Sequence, residues 1–163
     1  MYSRIYLLTA TRYRPWTSLG YAVLEGNINV VRLLLASGAA VNCDSGQGLP
    51  LCRSPMYFAA ERGHKRIAKL LMSHGARADL GESFRMKTPL HFAAESGHPE
   101  MVKLLVENGA NVNAKYFYEG PYSPITPMGH ASRAGHAVSF IFRWGITKGT
   151  IYNRPYFTNN AAQ

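Results

Sequence analysis

Between residues 88 and 113 apolar and polar positions alternate with helical periodicity in two short runs split by glycine. Leu90, Phe92, Ala93 and Ala94 make up the apolar part of the first run, and Met101, Val102, Leu104 and Leu105 give the second a stripe at helical spacing. The punctuation agrees. Thr88 is a helix-capping residue, and Pro89 suits a first helical position because its missing N–H would be unpaired there anyway. Gly97 sits where the chain must take a positive φ to end a helix. Pro99 then restarts the chain with Glu100 beside the positive end of the new helix, and Gly109 stops it. The pattern predicts helix, tight turn, helix, turn and an extended finger ending near Asn113.

The same pattern recurs along the chain. Its copies begin at Thr17, Ser54, Thr88 and Thr126, with spacings of 37, 34 and 38 residues. In the first copy Leu19, Ala22 and Val23 precede Gly26, and a very apolar second run (Val30, Val31, Leu33, Leu34, Leu35) precedes Gly38. The second copy runs from Ser54 and Pro55 through Ala59, Ala60, Gly63 and His64 to Ile67, Ala68, Leu70, Leu71 and Gly75. The fourth opens well with Thr126, Pro127, Ala131, Gly135 and His136. Its second run, Ser139 to Trp144, departs from the pattern, and Gly145 arrives two residues early. Extra length falls at Cys43 to Arg53 and Lys115 to Ser123, which Gly46, Gly48, Pro50, Gly120 and Pro121 mark as exposed loops.

The segment Thr88-Pro89-Leu90-His91-Phe92-Ala93-Ala94-Glu95-Ser96-Gly97-His98 resembles the ankyrin repeat almost completely. The likeness extends over roughly residues 17–145. It implies an all-α solenoid of stacked helix-turn-helix units with short finger turns, with repeats near 17–53, 54–87, 88–125 and 126–145. A helix pair of this kind cannot bury its apolar face alone, so three or more must stack. Residues 1–16 read as an N-terminal extension or cap, and residues 146–163 as an atypical C-terminal cap or a disordered tail.

Composition narrows the function classes. The hydrophobic content of 47% supports a packed core, and no apolar run approaches the roughly 20 residues of a membrane span. Ile5 to Ala10 is too short for a signal sequence and is followed by Arg12 and Arg14. Two cysteines, Cys43 and Cys52, make neither a disulfide framework nor a zinc pattern, which favours an intracellular, reducing compartment such as cytoplasm or nucleus. The net charge is +9, but its excess lies toward the ends, and no carboxylate follows Glu119. The charge points to an acidic partner.

No catalytic constellation stands out. Histidine is the first suspect because it titrates near neutrality. Here His64, His98 and His136 follow turn glycines, His91 takes the histidine slot of the repeat, His74 precedes a terminating glycine, and His130 falls one place after that slot. Gly46-Gln47-Gly48 lacks the third glycine of a dinucleotide loop, and no nucleophile elbow is present. The chain is therefore read as non-enzymatic, without cofactor, metal or small-molecule substrate. Arg62, Lys65, Arg66 and Lys69 have the spacing i, i+3, i+4, i+7, which is either a solvated surface or a contact for an acidic partner.

The resemblance implies a protein-interaction module that binds through the first helices, the concave face and the fingers. Tyr21, Phe58, Phe92 and His130 hold one repeat position. These rings serve either as recognition anchors or as core between repeats. The candidate contacts are Tyr21, Phe58, Phe92, Glu61, Arg62, Glu95 and Ser96, with Gln47, Met86, Lys115 and Tyr118 in the fingers. Arrays of this length also resemble kinase inhibitors and the receptor part of ubiquitin ligases, although no recruitment motif follows residue 145. Binding to nucleic acid needs a continuous basic groove, which the charge-balanced centre does not offer.

Overall fold

A computed structural model describes residues 17–42, 53–79, 87–116 and 124–136. Among these residues there are seven helices and no strand. They are α1 (Ser18–Leu24), α2 (Ile28–Ala36), α3 (Pro55–Arg62), α4 (Lys65–Ser73), α5 (Pro89–Glu95), α6 (Pro99–Glu107) and α7 (Pro127–Arg133). The extension 1–16, the loop cysteines, the second run of the fourth copy and the tail 146–163 lie outside the described residues.

Each first helix starts on the residue whose chemistry asks for it. The hydroxyls of Thr17, Ser54 and Thr126 accept the amides of Gly20, Tyr57 and Gly129 at 3.0, 3.3 and 3.2 Å. At Thr88 the cap is reciprocal: Nδ1 of His91 accepts the Thr88 amide at 3.1 Å and closes a capping box. Nε2 of His91 then carries the proton and donates to the Ile125 carbonyl at 3.2 Å. One histidine thus joins its own helix start to the next repeat.

The core is one continuous cluster. Leu19, Val23, Val31 and Leu35 open it, Met56, Phe58, Ala59, Ile67 and Leu71 continue it, and Leu90, Ala93, Met101, Leu105 and Ala131 close it. The odd-numbered helices pack on one another closely, through the alanine pairs. The even-numbered ones pack more loosely. Small side chains thus hold one row of helices tightly together, and a second, more open row lies behind it.

The turn between paired helices also serves the stack. Gly63 and Gly97 adopt φ of 68° and 72°. A Cβ on Gly97 would lie 2.8 Å from the ring of His136, and one on Gly63 would lie 2.8 Å from the ring of His98. The glycine of one repeat is therefore also the seat for the histidine of the next. His98 secures the joint by donating from Nε2 to the Glu61 carbonyl at 3.0 Å. The first finger is tied differently. Nδ2 of Asn42 donates to the Gly75 carbonyl at 2.9 Å, and its Oδ1 accepts the Arg77 amide at 3.0 Å. Further along, Tyr116 and Ile125 form an antiparallel bridge with two bonds of 2.9 Å.

Candidate interaction face

The first helices carry a row of charged and aromatic groups that runs from α3 across α5 to α7. In the second repeat Nη1 of Arg53 donates to the Tyr57 hydroxyl at 2.7 Å, and that hydroxyl donates to Oε1 of Glu61 at 3.1 Å. The Arg53 guanidinium also lies over the Tyr57 ring, 4.6 Å from its centre. The Tyr57 ring meets Phe92 of the third repeat edge-on at 4.1 Å. There Nζ of Lys87 sits over Phe92 at 4.1 Å, faces Tyr116 at 5.7 Å and forms an ion pair with Glu95. Glu95 in turn lies 3.8 Å from Nδ1 of His130 on α7.

Arg53 and Lys87 hold the same place in their repeats, immediately before the cap, and Glu61 and Glu95 likewise correspond. The motif is therefore built twice: a cation before the cap, an aromatic ring within the helix and a carboxylate at its end. The groups hold one another in place. Partial burial pushes the Glu95 carboxyl up, and the hydrogen bond and charge of Lys87 outweigh it, leaving Glu95 below its ordinary value. Burial depresses His130, the charge of Lys87 adds to this, and Glu95 opposes both. Burial dominates at His91, whose ring is fully enclosed and pushed down to about 4, so it is neutral at physiological pH.

The residues singled out in the sequence separate by environment. Phe58 is 1% exposed and packs against Gly20, where a Cβ would lie 3.2 Å from its ring. The missing side chain at the histidine slot of the first repeat is thus the space that Phe58 fills. Such a ring reaches no partner without opening the core, so its place is the alternative the sequence left open, packing between repeats. Phe92 is also buried, beneath Lys87. Tyr21, Glu61 and Ser96 are half-buried, while Arg62, Glu95 and Lys115 are exposed. Gln47, Met86 and Tyr118 lie outside the described residues. Arg53, Lys87 and Tyr116, absent from the sequence candidates, are central to the row. The matching positions of Arg53 and Lys87 were the available signal.

Among the described residues, no group of three His, Cys, Asp or Glu side chains is placed to hold a metal ion, and no helix is long and apolar enough to cross a membrane. Paired helices, stacked by glycine–histidine joints and leaving Arg62, Glu95 and Lys115 at the surface, define a helical repeat solenoid. The family profile for ankyrin repeats, in three copies, matches residues 19–116. The chain belongs to the ankyrin-repeat family, whose members generally serve as protein–protein interaction modules and are typically not enzymes. No curated protein matches the chain.

Proposed function

We propose that this array binds a protein partner along its first helices and fingers, without catalysis. The observation that carries the reading is the repeated cation–ring–carboxylate row. Its side chains are held in place before any partner arrives, which lowers the entropy lost on binding. Half-buried Tyr21, Glu61 and Ser96, together with exposed Arg62, Glu95 and Lys115, supply its accessible contacts. From the repeat pattern alone, the finger positions Gln47, Met86 and Tyr118 are offered as further contacts. A net charge of +9 favours a partner with an acidic surface. The scarcity of cysteine supports an intracellular setting. Inhibition of an enzyme or recruitment of a ligase substrate are narrower forms of this reading, separated by what the partner is.

The test is quantitative affinity capture with the wild-type chain and with an Arg62→Glu, Ser96→Arg variant whose melting temperature is unchanged. Partners lost selectively from the variant support the face. An identical captured set removes this face from consideration.

A further inference from the structure

The loosely packed second helices hold a groove that the interaction row does not use. It lies between α2 and α4, has a volume of about 370 Å³, and is lined by Ile28, Asn29, Arg32, Arg66, Lys69 and Leu70. Ile28 and Leu70 supply an apolar floor, and three cations form the walls. None of Arg32, Arg66 and Lys69 has a carboxylate partner among the described residues, although Lys65, Arg77, Lys87 and Lys103 each have one.

The repeat register explains why this groove is open. One repeat further on, Nζ of Lys65 on α4 reaches Oε2 of Glu100 on α6 at 3.0 Å and bridges the two helices. The equivalent positions one repeat earlier are Ile28 and Arg66. An ion pair is thus replaced by an aliphatic side chain and an unmatched guanidinium. The bridge is missing, and the groove lining is strongly positive, with no acid among the described residues that line it.

We propose that the α2–α4 groove is a second docking site, for an extended acidic peptide segment of a protein partner carrying an aliphatic side chain between its carboxylates. The aliphatic group would rest on Ile28 and Leu70. The carboxylates would meet Arg32, Arg66 and Lys69, and Asn29 offers an amide to the peptide backbone. A second copy of this chain, itself at +9, is the wrong sign. A nucleic acid strand needs a longer basic track, and this one ends at the next groove, where Glu100 stands. The site is separate from the first-helix face and does not depend on it.

Fluorescence anisotropy with the full chain tests the idea, using a labelled twelve-residue polyglutamate peptide with two central leucines. Wild type should bind it, several-fold more weakly as salt is raised from low to physiological levels. Arg66→Glu alone should weaken binding about fivefold or more, because it replaces an attraction by a repulsion. Ile28→Lys with Arg66→Glu should abolish it by rebuilding the bridge seen between α4 and α6. Arg32→Ala with Lys69→Ala, which leaves the floor untouched, should lower affinity about tenfold if each lost cation contributes roughly threefold. The Arg62→Glu, Ser96→Arg variant should bind the peptide as wild type does, separating this site from the first-helix face. Circular dichroism confirms that each variant is folded. The proposal is overturned if wild type does not bind, if the groove variants bind within twofold of wild type, or if a twelve-nucleotide single-stranded RNA binds more tightly through the same residues.

Discussion

The imidazole of His98 lies against Gly63 of the preceding repeat, and its Nε2 reaches back to the Glu61 carbonyl at 3.0 Å. The joint needs both partners, the ring to donate and the bare Cα to make room. Gly63→Ala should therefore suffer twice, from left-handed backbone strain of about 1 kcal/mol and from displacement of the histidine, another 1–2 kcal/mol. Gly75 provides the control. Its φ is 87°, and a Cβ there meets nothing within 4 Å. Urea denaturation should show Gly63→Ala as the more damaging of the two; equal losses would mean the ring moves aside freely.

His91 predicts a pH dependence. Its ring is neutral in the fold and is held to about 4, whereas it titrates near 6.5 when unfolded. Below 6.5 the unfolded chain takes up a proton that the folded chain refuses, so stability falls as pH drops. The contribution is complete above about pH 6.5 and is lost progressively down to about pH 4, where it levels off. Its upper limit is about 3 kcal/mol. His91→Gln keeps an acceptor for the Thr88 amide but does not titrate. Melting temperatures measured between pH 4 and 7 should fall more steeply for wild type than for this variant, and parallel curves would rule the histidine out as the cause.

After burial, Lys87 is the next influence on the titration of Glu95 and His130. With Lys87→Met the cation over Phe92 and the partner of Glu95 disappear together. The His130 titration, followed by NMR, should then move up, because Lys87 is a principal cause of its depression and Glu95 would act on it undiminished. Glu95→Gln should move it down. Stability should fall by about 1 kcal/mol with Lys87→Met, from the lost ion pair and cation–π contact. A His130 titration that does not respond would sever the proposed link between α5 and α7.

Asn42 ties its finger to the second repeat through two bonds to main-chain groups. Asn42→Ala should speed amide exchange at Arg77, whose N–H it holds, and should destabilise the chain by roughly 1 kcal/mol. Exchange at the Leu71 amide, deep in α4, should change little.

Much of this arrangement is legible in the sequence, for a local reason. Caps, turn glycines and the spacing of Met101, Val102, Leu104 and Leu105 each act over a few residues, so the pattern announces them directly. What was hidden depends on neighbours in the stack. Phe58 is core because Gly20, far away in the chain, leaves it room. Lys87 matters because Phe92, Glu95 and Tyr116 converge on it. Both become visible only when corresponding repeat positions are compared for what they place against one another.

The bridge between Tyr116 and Ile125 has a practical consequence. It joins Tyr116 to Ile125 by two hydrogen bonds, so the packing on either side depends little on the length of chain between them. Lengthening a loop whose ends are already joined costs only about 0.6 kcal/mol per doubling. Foreign epitopes or labels could therefore be carried there, with α5 and α7 still packed together.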